Sequence, residues 1–226
     1  SYQIFYNKIA KLKKLQEPML KFSLICFMFL SSQLFALDPT EALKKLTDGN
    51  ARFSSNTMTF HDQTINRRKK LIESQAPFAV VVACSDSRVA PEIIFDQEIG
   101  DLFVVRVAGN VVGPFEMESI EYAAAHLGSS CIIVIGHKNC GAVNAVIENQ
   151  ISDIPFIAQM IKPSVTKAKA SDPSNLLKTS IEFNAEAMSQ LVGESSIVQG
   201  LVSQGKVKVY SGYYDFESGA VNILYK

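Results

Sequence analysis

The chain has 226 residues, 47% of them hydrophobic, with 22 basic side chains against 22 acidic ones. That length and apolar content can bury the core of one α/β domain. Zero formal charge, with no basic cluster beyond residues 67–70, excludes a nucleic-acid partner and leaves those four residues as a solvated helix face.

The first stretch is set apart from the fold. Met19 is followed by Lys21, an apolar run over residues 22–30, then Ser31, Ser32 and Gln33 before Leu34, Phe35 and Ala36. This is the pattern of a secretory signal peptide with a small residue at the cleavage point, and its apolar part is shorter than the roughly 20 residues of a membrane-spanning helix. Residues 1–18 are upstream sequence or an extended leading region. The expected layout is thus a leader over residues 1–36 and one domain over residues 37–226, exported to the periplasm. Without the leader, 17 basic and 21 acidic residues remain, and so do three of the four cysteines. An odd number suits a disulfide framework poorly and suits two metal-bound thiolates plus one buried thiol better.

Asp38, Pro39 and Glu41 mark a helix start, with Leu43 and Leu46 on its apolar side. Gly49 and Asn50 are expected to loosen or end this helix, with loop over residues 54–63 and a charged helix over residues 65–74 that Pro77 stops. Strands are predicted over residues 78–83, 101–107 and 131–135, the first and last of them apolar runs without polar alternation, as in a strand buried on both faces. Between them lie a short helix or turn over residues 91–95 and a helix opening at Gly113 and Pro114. Its Ile120, Ala123, Ala124 and Leu127 repeat at helical spacing before Gly128 ends it. A helix is expected over residues 141–149. Residues 151–172, with two prolines, give no clear pattern. Leu177, Ile181, Asn184, Met188 and Leu191 share one face of a long helix from near Ser174, with Asn184 the single polar intruder. Strands over residues 206–214 and 220–224, joined by a turn at 217–219, close the chain. The fold class is α/β: a mostly parallel central sheet flanked by helices, a C-terminal antiparallel hairpin and an N-terminal helical arm.

Two of the strands end on potential metal ligands. The run F-A-V-V-V-A leads into C-S-D-S-R at residues 84–88, and C-I-I-V-I-G leads into H-K-N-C-G at residues 137–141. Ligands gather at the carboxyl ends of strands in an open parallel sheet, so Cys84, His137 and Cys140 should converge. Two thiolates and one imidazole suit tetrahedral zinc with a fourth position open, which is the catalytic count. Asp86 and Arg88 are either a surface ion pair or, beside a metal, a carboxylate held in one orientation by a guanidinium.

These motifs, with R-V-A-G-N at residues 106–110, E-Y-A-A-A-H-L at 121–127, G-H-K-N-C-G-A at 136–142 and Y-D-F-E-S-G-A-V at 214–221, resemble the β-class carbonic anhydrases from Leu37 onward. The resemblance implies one Zn2+ per chain on Cys84, His137 and Cys140, and an Asp86–Arg88 dyad that orients the zinc water. The reaction it implies is reversible hydration of CO2 to bicarbonate and a proton. It further implies substrate contacts from Gln75 across a dimer interface, pocket walls from Phe103 and Tyr122, and backbone lining at Ala108 and Gly109. A homodimer or homotetramer is implied, with the helix near residues 38–50 as an arm around the neighbour. His61 and His126 are given no catalytic role. Ala142 stands where family members often have a second glycine. One subgroup closes itself through a pocket containing tryptophan, which this chain lacks, so with Gln75 present it looks like the plant-type, open-site subgroup. The same zinc chemistry would also serve a hydrolase of carbonyl sulfide or carbon disulfide.

Overall fold

A computed structural model describes residues 37–59 and 63–225. The leader expected over residues 1–36 lies outside the described residues, as does His61. Among the described residues, no helix is long and apolar enough to cross a membrane.

Helix α1 spans Pro39–Ser54. Asp38 caps it, its carboxylate accepting from the Thr40 amide at 2.8 Å, and proline opens the first turn. The helix runs straight through Gly49 and Asn50, contrary to expectation, because both residues dock rather than break it. The Asn50 amide donates to the carbonyls of Ile94 (3.1 Å) and Gly219 (2.9 Å) and accepts from the Val221 amide (2.8 Å). Gly49 lets α1 close against the neighbouring turn, since an added Cβ would lie 1.8 Å from the Phe95 carbonyl oxygen. Gly49→Ala should therefore cost about 1–3 kcal/mol, as overpacked cores do, read as a lower denaturation midpoint. A wild-type midpoint would show that α1 is not seated this way.

The short helix α2, Ile65–Lys70, ends four residues before the expected limit. Its basic run is not simply solvated: Arg67 reaches Glu98 (3.1 Å), Asp101 (2.8 Å) and the Ile99 carbonyl (2.9 Å). Then follow β1 (Ala79–Ala83), α3 (Pro91–Ile94), β2 (Leu102–Arg106), a 3-10 turn (Ala108–Asn110) and α4 (Pro114–His126). Strand β3 covers Cys131–His137, two residues longer than expected, because pairing with the next strand continues to His137 opposite Tyr214. The remaining elements are α5 (Gly141–Ile147), α6 (Pro155–Ser171), a second 3-10 turn (Pro173–Asn175), α7 (Leu176–Glu194), α8 (Ser196–Ser203), β4 (Lys208–Tyr214) and β5 (Val221–Tyr225).

The sheet order is β2-β1-β3-β4-β5, with the first four strands parallel and β5 antiparallel to β4. Successive side chains alternate between faces. Val80, Val82, Ile132 and Val134 enter one core with Ile120 of α4, Val143 of α5, Ile161 of α6 and Ile181 of α7. Ala79, Val81, Ile133 and Ile135 enter the other, against Ala42, Leu43 and Leu46 of α1 and Ile94 of α3. The apolar side of α1 thus packs on its own sheet. With both faces covered, β1 and β3 are buried along their whole length, which explains their unbroken apolar sequence.

Candidate metal centre

The parallel pairing of β1 with β3 sets Ala83 beside Ile135, so both strands deliver their next polar residues to one edge. Cys84 follows β1 directly and His137 is the last residue of β3. Asn139, in the left-handed region at φ 55°, turns the chain back so that Cys140 becomes the N-cap of α5. The ligating atoms of Cys84, His137 and Cys140 lie within 4.8 Å of one another, and all three residues are buried.

Their chemistry fits a soft, borderline cation such as zinc. The Nδ1 of His137 lies 2.9 Å from the Lys138 carbonyl oxygen, which can only accept, so Nδ1 carries the proton and Nε2 the lone pair. Nε2 is fully buried and finds no hydrogen-bond partner among the described residues, a costly state unless a ligand takes it up. The thiol of Cys84 is held below the ordinary thiol range, first by the Cys140 side chain and then by His137 and the Gly109 amide, whose N–H lies 3.2 Å from the sulfur. Cys140 is pushed the other way by the same contact with Cys84 and by burial.

Beside the ligands, Arg88 grips Asp86 with both arms, Nε to Oδ1 at 2.9 Å and Nη2 to Oδ2 at 2.7 Å, while its amide donates to Oδ1 at 3.0 Å. The Arg88 side-chain bonds hold the Asp86 carboxyl far below the usual carboxylate range. Its Oδ2 lies 3.8 Å from His137 Nε2, so the ionised oxygen borders the ligand cluster. Arg106 pins the turn from β2 by donating to the carbonyls of Cys84 (3.1 Å) and Asp86 (2.7 Å). The guanidinium of Arg88 sits 4.3 Å above the Phe216 ring, which also lies 5.3 Å from the His137 ring and 5.3 Å edge-on from Tyr214. Arg106 and Phe216 had no assigned role in the sequence, although both fall inside motifs quoted above. Their contacts follow from strand order, which places β2 and the β4–β5 turn on either side of the ligands.

Of the residues expected to meet substrate, one chain brings Gly109 to the cluster, its amide on Cys84 Sγ, with Ala108 beside it in the 3-10 turn. Phe103 and Tyr122 pair with each other at 6.5 Å, away from it: Phe103 is registered against Val80, well back from the strand end, and Tyr122 is 49% exposed on α4. Tyr122 also meets the His126 ring at 5.5 Å. Gln75 lies exposed in the segment before β1.

The third cysteine is separate. Cys131 opens β3 wholly buried, and burial pushes its thiol up to about 12 from the ordinary 9.0. Between those values the unfolded chain loses a proton that the folded chain keeps, so stability falls as pH rises through that window. The stability of wild type to denaturant should therefore fall with alkalinity faster than that of Cys131→Ala. Parallel curves would contradict this.

Residues 79–221 match the family model described as carbonic anhydrase. The chain belongs to the β-carbonic anhydrase family. A carbonic anhydrase of Mycolicibacterium smegmatis is 37% identical over 193 residues, covering 82% of this chain and 93% of the relative. Carbonic anhydrase 2 of Mycobacterium tuberculosis is 34% identical over 189 residues, covering 80% and 91%. Among solved structures, the Coccomyxa β-carbonic anhydrase in complex with acetazolamide aligns with TM-score 0.60 at 29% identity, over 83% of this chain and 85% of that one. The β-carbonic anhydrase CcaA aligns with TM-score 0.64 over 82% and 92%, and at 24% identity it speaks for the fold alone.

Proposed function

We propose that this β-carbonic anhydrase catalyses the zinc-dependent, reversible hydration of CO2 to bicarbonate and a proton. The observation that carries the reading is the buried, unpartnered His137 Nε2 facing two thiols, with an ionised carboxylate at its border. Cys84, His137 and Cys140 would hold the metal, leaving a four-coordinate zinc one position for exchange. When bound, zinc supplies the Lewis acidity that lets water ionise near neutral pH and become a nucleophile. Asp86, ionised and therefore acceptor-only, takes a hydrogen bond from the reacting water and fixes its direction. Arg88 holds both carboxylate oxygens, Phe216 backs Arg88, and Arg106 fixes the backbone on which Asp86 sits. The Asp86–Arg88 pairing supports the open-site, plant-type arrangement, because it keeps the carboxylate with the guanidinium.

The relatives' names support the substrate, and stopped-flow CO2 hydration at full zinc occupancy tests it. No rate above buffer from neutral to mildly alkaline pH would sink the reading, and turnover of carbonyl sulfide in its place would replace it.

A homodimer or homotetramer belongs to the same proposal. Phe103 and Tyr122 lie away from the ligand cluster of their own chain and Gln75 lies exposed before β1, so they would meet substrate only at a second copy's site. A Sordaria macrospora neighbour is described as tetrameric. A monomer by light scattering would overturn this part. Export rests on the leader pattern of residues 19–36, and N-terminal sequencing of the mature protein from a periplasmic extract would test it.

A further inference from the structure

Asn184 is the polar residue that interrupts the apolar face of α7. It is completely buried, and such a residue is costly there unless it has a task. Its Nδ2 donates to the Gly109 carbonyl oxygen at 2.8 Å. Gly109 sits in the 3-10 turn after β2 at φ 71°, a conformation that favours glycine, with Ile161 Cδ1 2.7 Å from where a Cβ would stand. The amide N–H of the same residue donates to Cys84 Sγ at 3.2 Å. One short peptide segment is therefore held at its carbonyl by α7 and presents its N–H to a ligand sulfur on the far side of the turn. Among the described residues no other group donates to that carbonyl.

We propose that Asn184 is a positioning residue for the metal centre: by anchoring the Gly109 carbonyl it fixes the Gly109 N–H on Cys84 Sγ, and so sets the electron density that this thiolate offers the metal. The inference rests on Cys84 being a metal ligand, as proposed above. An N–H···S bond withdraws charge from the sulfur and fixes its direction, and partners of this kind commonly change metal affinity by roughly 10–100-fold when removed. Asn184→Leu keeps the branched heavy-atom shape and deletes the donor, leaving the Gly109 carbonyl unsatisfied and the turn free to rotate. Ser180→Ala is the control, because Ser180 lies on the same helix, is equally buried and its hydroxyl makes no hydrogen bond among the described residues.

The test uses 15N-labelled full-length protein loaded with cadmium-113, and the same protein loaded with cobalt(II). Wild type and Ser180→Ala should show scalar coupling between the Gly109 amide proton and cadmium, transmitted through the N–H···S bond. Asn184→Leu should lose the coupling, shift the sulfur-to-cobalt charge-transfer band and bind zinc roughly tenfold more weakly in chelator competition. A helix residue that merely filled space would move thermal stability but neither spectroscopic signal. If Asn184→Leu does not fold, Asn184→Ala is read in the same way. Absence of the Gly109 coupling in wild type, or an Asn184 variant with wild-type coupling and band, overturns the positioning role alone. Wild-type protein that binds no metal overturns the metal reading together with it.

Discussion

Asp86→Ala is expected to keep one zinc per chain and lose CO2 hydration by on the order of 10²-fold, the usual scale for removing a positioned group from proton chemistry. Zinc should stay because Asp86 is not among the three converging donors, and because the backbone beneath it is held separately by Arg106. The rate should fall because Asp86 Oδ2 is the acceptor that borders the ligands, fixed by two bonds from Arg88. Asp86→Asn should lose a similar factor despite its shape, since its amide can offer a donor where an acceptor is needed. Zinc analysis beside stopped-flow kinetics separates the two effects. A variant with full zinc and a rate within threefold of wild type would show that the dyad has no part in the chemistry.

Cys84→Ser should do the reverse and strip the metal. A serine hydroxyl stays protonated where a thiolate ionises, so the site keeps only His137 and Cys140 as donors. Zinc should fall well below one per chain after dialysis against a chelator, with hydration near background. Metal that binds only the folded state stabilises it by mass action, about 4 kcal/mol when free zinc is a thousand times Kd. The thermal midpoint should therefore drop in Cys84→Ser, and chelator-treated wild type should drop towards it. Retention of stoichiometric zinc by Cys84→Ser would remove Cys84 from the ligand set.

The convergence of Cys84, His137 and Cys140 was legible in sequence because β1 and β3 are buried β-branched runs, and parallel strand ends converge whatever the order of the sheet. The order itself leaves no local signal, so the roles of Arg106 and Phe216 were not. Helix α6 was obscured by its prolines. Pro155 is in fact a helix opener at the first position, and Pro163 is tolerated inside a helix whose Ala158, Ile161, Val165 and Ala168 are buried along one side. Helix α8, not anticipated from the sequence, begins directly after Ser195, the residue that ends α7 and caps α8 through the Val198 amide. Gly49 and Asn50 were misread for a related reason: a local breaker and a docking contact use the same residue types. Asn184 was visible as an anomaly, but its partner comes from the turn after β2, far away in the chain.

The separation of Cys84 from the His137–Cys140 pair bears on how the protein would acquire the proposed metal. Between them the chain makes β2 and α4 before returning as β3, so the first thiol meets the other two donors only after a long loop has closed. A nascent or denatured chain offers a two-donor clamp at residues 137–140, and the third donor arrives only when β1 docks on β3. Loading should therefore lag behind sheet assembly in refolding kinetics, and zinc should slow the unfolding arm of a chevron much more than it accelerates the folding arm.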